Sequence, residues 1–347
     1  MAYTTIDDPS AHFQTTLYTG DGNSGRTVTN SGNSDMQPDW IWIKYRTAGV
    51  SHVTYDSSRG ATKRLYIDFD GQEATQSEGV QAFNSDGFTL GNAGASNANS
   101  IPFVAWQWKA NGGTTSTNSD GDINSTVQVN SDAGFSIITD SPSNNTARNI
   151  GHGLGKTPTF IIRRARNRTE NWRVLFQGFG TTGAINLDQE GTYNSSTVLF
   201  NGVSSTTFGV GTDLSVNGAY NYVTYCFTDI QGFSKSGKYT GNQNAEGPFI
   251  YTGFKPAFII FKANSNYKYW YQFDNQRSPA NPVQKGIVAS LSDAEYNTAD
   301  IAIDFLSNGF KIRNNSTTLN ESGTTIAYMA FADNPFVTST GIPTTAR

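Results

Sequence analysis

The sequence contains very little cysteine or histidine. Cys226 is the one cysteine among 347 residues, which excludes an intrachain disulfide and a zinc site built from cysteines. It stands inside an apolar segment, which favours a buried, inert thiol over a nucleophile. The three histidines, His12, His52 and His152, are far apart along the chain, so we expect no histidine-rich metal site.

Charged residues are also scarce. They make up 15% of the chain, with 28 acidic and 24 basic residues and a net charge of −4, whereas globular proteins average about 25%. Without a net positive charge the chain has no field that attracts phosphates, so we expect no nucleic-acid partner. Aromatic residues reach 13%, which excludes an ordinary disordered chain.

Long apolar runs are missing as well. No run of about 18 apolar residues occurs, so we expect no membrane insertion. The first ten residues have neither the basic nor the apolar region of a secretory signal, so we expect no signal peptide. The loop Asn111-Gly-Gly113 lacks the lysine of a phosphate-binding loop, so we expect no cofactor.

Three segments of the chain resemble one another, in the same order of features. Each has a proline followed by an apolar strand that ends in a basic residue, at residues 38–44, 158–164 and 256–262. Each then has two phenylalanines around a polar turn and closes with an aromatic strand, at residues 103–108, 222–227 and 326–331. The pattern predicts three modules of roughly 100 residues, each large enough for its own core.

Short strands with Asp-Gly and Asn-Gly turns between them predict an all-β protein of three tandem antiparallel β-sandwich or jelly-roll-like modules. The modules either pack into one pseudo-symmetric unit or string out along the chain. The predicted organisation is a first module with an N-terminal arm (1–110), a polar linker or long loop (111–133), a second module (134–230), a third module (231–335) and an extended C-terminal tail (336–347).

Several of these runs resemble repeated modules in virion structural proteins of marine tailed bacteriophages. The runs that carry the resemblance are residues 37–44, 151–158, 232–242, 247–258, 304–310 and 334–347. The resemblance spans nearly the whole chain and implies a tail-fibre-like protein with lectin-like β-sandwich modules, located in the virion. It brings no catalytic residues with it.

The leading expectation is therefore a non-enzymatic, host-surface-binding component of the virion. Its partners would be other virion proteins, a host cell-surface glycan and further copies of the chain. A capsid decoration or head-fibre protein that binds other virion proteins is one alternative. The other is a glycan depolymerase, which would need two carboxylates across a sugar. Asp68 and Asp70 form the best local pair, but the other two modules do not keep it.

Three arginines stand out in this acidic chain as candidates for partner or glycan binding. Arg164, Arg166 and Arg168 share one face if the segment is extended, where they could meet an acidic surface or an anionic glycan. The alternative is a solvated strand end. No catalytic residue and no metal ligand is assigned. Asp68 and Asp70 resemble part of a calcium loop but lack its full ligand series.

Aromatic side chains are the other candidates for glycan binding, because an exposed aromatic platform stacks on sugar rings. The candidates are those with polar neighbours in the sequence: Trp172, Trp270, Tyr267, Tyr269 and Tyr271. Burial in the core of a sandwich is the alternative for each of them.

Overall fold

The computed structural model describes residues 2–265 and 267–344. Nearly all of its regular structure is antiparallel β-strand, which confirms the predicted all-β class and its three modules. Within the described residues the helices span only three or four residues each: a 3₁₀ helix at Pro9–Ala11, the α-helix α1 at Gly94–Asn97 and a 3₁₀ helix at Ala299–Ile301. None is long enough to cross a membrane.

The described residues of the first module form nine strands. They are β1 (Phe13–Thr19), β2 (Arg26–Val28), β3 (Trp40–Tyr45), β4 (Val53–Asp56), β5 (Lys63–Tyr66), β6 (Ala74–Thr75), β7 (Val80–Phe83), β8 (Phe88–Leu90) and β9 (Pro102–Trp108). A larger sheet has the order β1-β9-β3-β4-β5-β6, and a smaller sheet has the order β2-β8-β7. The first strand of the module, β1, pairs with its last strand, β9, so the two ends of the module lie side by side in the larger sheet.

The second module repeats this topology with two additional strands at its start and without a strand corresponding to β6 among its described residues. Its strands are β10 (Ser116–Asn118), β11 (Ser125–Asn130), β12 (Phe135–Asp140), β13 (Arg148–Gly151), β14 (Phe160–Ala165), β15 (Arg173–Phe176), β16 (Ile185–Asn186), β17 (Phe200–Val203), β18 (Thr207–Val210) and β19 (Tyr222–Phe227). The sheets have the orders β10-β11-β12-β19-β14-β15-β16 and β13-β18-β17.

The segment 111–133, predicted as a polar linker or long loop, is therefore corrected. It contains β10 and β11 in full, which add two strands to the edge of the second module's larger sheet. The physical reason is the alternation in β11, which buries Val127 against the core of that module while its neighbour Thr126 is exposed.

The third module has the same topology as the first. Its strands are β20 (Ser234–Thr240), β21 (Phe249–Tyr251), β22 (Phe254–Ala263), β23 (Trp270–Asp274), β24 (Lys285–Val288), β25 (Tyr296–Asn297), β26 (Ile303–Leu306), β27 (Gly309–Ile312) and β28 (Thr325–Pro335). The sheets have the orders β20-β28-β22-β23-β24-β25 and β21-β27-β26.

The C-terminal tail was predicted to be extended over residues 336–347, and the structure corrects this for the part that it describes. Val337 pairs with Pro343, and the amide of Gly341 donates to the carbonyl of Thr338 at 3.0 Å, so the chain turns back on itself. The amide of Ser339 donates to the carboxylate of Asp7 at 2.6 Å, which ties this turn to the N-terminal arm. Residues 345–347 lie outside the described residues.

The two faces of each larger sheet serve different cores. On β3, Ile41 and Ile43 point into the first module's own sandwich, whereas Trp40 and Trp42 point into a core that all three modules share. This alternation follows from the two-residue period of a strand. Both faces of such a strand must be apolar, because one face packs in the core of its own module and the other packs against the neighbouring modules.

The shared core is organised around a pseudo-three-fold axis. Trp108, Phe227 and Phe331 occupy the same position on the closing strands of the three modules, each opposite an aromatic residue of the neighbouring strand. Their ring centroids lie 6.4, 5.7 and 5.8 Å apart, so all three rings contact one another. The modules thus pack as one pseudo-symmetric unit and do not string out along the chain.

Candidate functional site

The structure places the predicted arginines at a boundary between modules. Arg164 is fully buried; its Nη2 donates to the carbonyl of Gly71 at 2.6 Å, and its Nη1 lies 3.6 Å from the carboxylate of Asp188. Burial lowers the pKa of Arg164 to about 10, although the charge of Asp188 opposes the shift. Arg166 donates two hydrogen bonds of 2.9 Å to Glu73. Arg164 therefore cannot present its charge to an external ligand.

Arg168 lies at the outer end of the same segment. It donates to Glu170 at 2.7 Å and to the hydroxyl of Tyr220 at 2.8 Å, and its guanidinium stacks over the Tyr220 ring. The three arginines therefore do not form one free basic face, because each has acceptors within the protein. The expectation of a shared arginine surface is corrected for this reason.

The two tryptophans predicted as binding candidates are buried, and that prediction is also corrected. The indole of Trp172 donates to the carbonyl of Tyr66 at 2.7 Å, across the boundary between the second and first modules. The indole of Trp270 donates to the carbonyl of Asn186 at 2.7 Å, across the boundary between the third and second modules. Both residues hold neighbouring modules together.

His52 completes this set at the corresponding position of the first module. Its Nδ1 accepts a hydrogen bond from the indole of Trp42 at 2.8 Å, which leaves Nε2 to donate to the carbonyl of Val288 at 3.1 Å. Burial, reinforced by the charge of Lys44, lowers the pKa of His52 well below its usual range. A neutral imidazole thus joins the first module to the third, and the three contacts form a closed ring.

The three predicted tyrosines have different surroundings. Tyr267 is 79% exposed, whereas Tyr271 is half-buried and its ring packs at 6.4 Å from Tyr296. Tyr269 is half-buried and hydrogen-bonds to Glu190 of the second module. Of the five aromatic candidates, Tyr267 alone is exposed enough to offer a whole ring to a ligand.

Two of the three module boundaries contain matching ionic networks. At the first, Arg59 is buried, pairs with Asp56 and donates to Glu73 at 2.9 Å, while Tyr225 of the second module donates to Asp56 at 2.7 Å. Arg166 binds the same carboxylate of Glu73 from the second module. Burial opposes ionisation of Glu73, but the hydrogen bond from Arg166 and the nearby charges lower its pKa overall.

The boundary between the third and first modules repeats this arrangement. Arg277 donates to Asp274 at 2.6 Å and to Glu295 at 3.2 Å, and the indole of Trp106 donates to Asp274 at 3.0 Å. Arg46 of the first module donates two hydrogen bonds of 2.9 Å to Glu295. The charged residues that looked available in the sequence are therefore part of the packing between modules.

The remaining boundary, between the second and third modules, has aromatic packing and hydrogen bonds to backbone carbonyls where the other two have their Arg–Glu pairs. The ring of Phe160 meets that of Trp270 with centroids 5.8 Å apart. Asn264 takes the position of Arg46 and accepts a hydrogen bond from the amide of Tyr193 at 2.9 Å. The pseudo-symmetry is therefore one of backbone topology and not of side-chain chemistry.

The carboxylate of Asp68 is also engaged within the fold, while that of Asp70 lies near the charge of Arg164. Asp68 accepts a hydrogen bond from the amide of His52 at 2.9 Å, and burial raises its pKa despite that bond. The carbonyl of Asp70 accepts from the amide of Glu170 at 3.2 Å. Across residues 2–265 and 267–344, no group of three or more histidine, cysteine, aspartate or glutamate side chains is placed to hold a metal ion.

An amphipathic depression remains on the surface of the third module, and we call it the Tyr251 groove. Its volume is about 340 Å³, and it is lined by Tyr3, Asp229, Gln231, Ser234, Lys235, Tyr251, Thr252 and Gly253. The hydroxyls of Tyr3 and Tyr251 are 3.0 Å apart, and the ammonium of Lys235 lies 5.4 Å from the centroid of the Tyr251 ring. Exposed aromatic and polar groups thus meet in one concave surface.

The Tyr251 groove is not among the sites predicted from the sequence, although the repeats contain a signal for it. In β21 the residue between Phe249 and Tyr251 is the core-facing Ile250, so both aromatic rings face outward and are 48% exposed. The groove also depends on Tyr3, which lies about 250 positions from Tyr251 along the chain. Only the three-dimensional structure brings these residues together.

The fold and the groove define a pseudo-three-fold, all-β protein of three fused sandwich modules with a ligand-sized depression on the third. Residues 8–335 match the model of a family described as a domain of unknown function, DUF7483. The chain belongs to this family. No curated protein matches the chain significantly.

Proposed function

We propose that this protein is a non-enzymatic structural component of a bacteriophage virion, tail-fibre-like, that contacts the host surface. The observation that supports the proposal most directly is the pseudo-three-fold packing of three sandwiches around Trp108, Phe227 and Phe331. One chain thereby forms a rigid body with the geometry of a trimer. Such a body suits attachment to a symmetric particle and presentation of surfaces at fixed positions.

The surface chemistry supports the same role. Charged groups are few, and several of them are used between modules, as with Arg166 and Glu73. Binding through the remaining polar surface depends little on ionic strength, because salt screens only the interactions between exposed charges. Its partners in this role are other virion proteins, and self-association of the chain is part of the proposal.

Immunogold labelling of purified particles with antibodies against the recombinant chain tests the proposal. Label at the tail tip supports it, whereas label spread over the capsid supports a decoration protein instead. Absence of the chain from purified particles contradicts both roles. Light scattering on the purified chain measures self-association independently.

A second assay tests the non-enzymatic part of the proposal. The purified chain is incubated with host polysaccharide, and newly formed reducing ends are measured. We expect none. Release of reducing ends by the wild type, lost in Asp68→Asn or Asp70→Asn, would establish a depolymerase in place of the proposed role.

A further inference from the structure

The outward face of β21 differs from the corresponding strands of the other modules. Ile250 pairs with Phe310 in the third module as Val28 pairs with Phe88 in the first and Ile150 with Phe208 in the second. This register aligns the core-facing residues of the three strands. The positions on either side are then Thr27 and Thr29 in the first module, Asn149 and Gly151 in the second, and Phe249 and Tyr251 in the third. Thr27, Thr29 and Asn149 are exposed, whereas Gly151 is covered by Asn118 of the additional strand β10.

The first and second modules show that this fold does not require aromatic rings at these positions. Threonine, asparagine and glycine occupy them in sandwiches of the same topology. Phe249 and Tyr251 nevertheless leave about half of each side chain exposed to solvent. Exposed aromatic pairs of this kind are typical of binding surfaces, because folding alone gives no reason to place them in water.

The two rings lie in a row along the strand, about 7 Å apart by the geometry of alternate positions. Tyr251 also forms one wall of the Tyr251 groove. Opposite it are the Tyr3 hydroxyl, which donates to the carbonyl of Gly253 at 2.7 Å, and the Lys235 ammonium, which donates to the carbonyl of Tyr251 at 3.0 Å. Gln231 is exposed at the same wall as Tyr3.

We propose that the Tyr251 groove, together with the ring of Phe249, is a saccharide-binding site. Apolar faces of sugar rings stack on aromatic side chains, while their hydroxyls need donors and acceptors such as the Lys235 ammonium, the Gln231 amide and the tyrosine hydroxyls. The groove offers both kinds of group within about 340 Å³, which is in the range of small-ligand sites.

The shape of this surface favours a saccharide over a protein partner. A protein interface buries a broad patch, of order 800 Å² on each side, whereas this site is a small concave depression with two rings in line beside it. The inference rests on the proposed host-surface role for the source of the saccharide, namely a glycan of the host cell envelope. The site itself is defined by the residues of β21 and the groove.

The test uses the full recombinant chain on an array of bacterial O-antigen and capsular oligosaccharides. The strongest hit is then titrated by saturation-transfer NMR against the wild type and two variants. Tyr251→Thr and Phe249→Asn introduce the residues found at corresponding positions of the other modules, so we expect both to fold. Each should weaken binding about tenfold or more through loss of ring stacking. Near-UV circular dichroism verifies folding.

Tyr267→Asn is the matched control, because it removes a more exposed aromatic ring elsewhere in the third module and asparagine tolerates the positive φ of 59° at this position. It should leave the affinity unchanged. No binding of the wild type to any oligosaccharide on the array overturns the proposal, as does an equal loss in Tyr267→Asn. If Tyr251→Thr instead removes the chain from particles and the wild type binds no oligosaccharide, the groove is a protein interface. Immunogold labelling of particles that carry the Tyr251→Thr chain shows whether the chain is still in the virion. Loss of saccharide binding can therefore be distinguished from failure of the virion role.

Discussion

Arg166 donates two hydrogen bonds of 2.9 Å to the carboxylate of Glu73, across the boundary between the second and first modules. The same carboxylate accepts from the buried Arg59 at 2.9 Å. Glu73 is therefore the shared acceptor of two guanidinium groups that belong to different modules. Its counterpart Glu295 has the same position between Arg46 and Arg277.

Glu73→Gln should lower the free energy of unfolding by about 2–3 kcal/mol. Loss of a fully buried ion pair costs more, but the Glu73 side chain retains some exposure to solvent. Glu295→Gln should have a similar effect, since the two networks match. Urea denaturation at neutral pH measures both. Glu246→Gln is the control: this carboxylate also binds two cations but its side chain is 64% exposed, and its loss should have little effect. Equal losses of stability in all three variants would contradict the role assigned to the Arg–Glu networks between modules.

Phe331→Ala should cost about 3–5 kcal/mol, because it opens a cavity on the pseudo-three-fold axis where Trp108 and Phe227 meet. We expect the variant to unfold in one cooperative transition at lower denaturant concentration, since the axis is common to all modules. Phe69→Ala, at a ring that is 52% exposed, is the matched control and should change stability little. Separate transitions, with only one of them shifted by Phe331→Ala, would show that the modules fold independently.

The stabilisation that the buried histidines contribute should decrease as the pH drops below about 6.5. It is read from the difference between the wild type and each histidine variant, because the buried Asp188, whose pKa burial raises to about 7, titrates in the opposite sense over the same range. Burial lowers the pKa of His52, and burial also lowers those of His12 and His152. The unfolded chain therefore takes up protons near the ordinary histidine pKa of about 6.5, while the folded chain does not. The stabilisation is complete above that pH and decreases as the pH falls toward the folded-state pKa values.

Urea denaturation between about pH 5 and 8 measures this dependence. His52→Gln should flatten it without abolishing it, because the other two histidines titrate in the same direction. His12→Gln should flatten it less, since His12 is only partly buried. A slope that His52→Gln leaves unchanged would contradict a neutral, buried His52 in the ring of contacts between modules.

Cys226 should not react with thiol reagents in the native protein. Burial raises the pKa of its thiol, against the opposing charge of Arg163, and the side chain packs among the apolar residues of the second module. The thiolate is the reactive form, so both access and ionisation oppose the reaction. Titration with an aromatic disulfide reagent should detect one thiol only after addition of guanidinium chloride. Rapid native reaction would contradict the packing of β19.

Much of the architecture could be predicted because the repeated sequence features are themselves the central strands of each module. The apolar run at Trp40–Tyr45 and the closing strand at Pro102–Trp108 are adjacent in the first sheet, and their counterparts pair in the same way. The two apolar faces of β3 are consistent with burial on both sides or with an aromatic face turned to a partner, and the structure shows the first. The alternation that places Val127 in β11 was also present in the sequence, within a segment whose polar composition is typical of a linker.

The site residues could not be predicted in the same way, because their surroundings come from other modules. Trp172 has polar neighbours in the sequence, yet its indole lies against Tyr66 of the preceding module. Arg166 likewise meets Glu73, which is 93 positions away along the chain. The local sequence pattern predicts where a residue lies within its own module. The exposure of these residues depends instead on how the modules pack against one another.

Fusion of the three modules into one polypeptide allows each copy to diverge separately. In an assembly of three identical chains, every outward substitution is displayed three times around the axis. Here the aromatic pair of β21 occurs in one copy only, while the Arg–Glu junctions occur in two. The molecule thus combines trimer-like rigidity with one Tyr251 groove per chain, so under the proposed virion role any avidity would come from the number of chains that a particle carries.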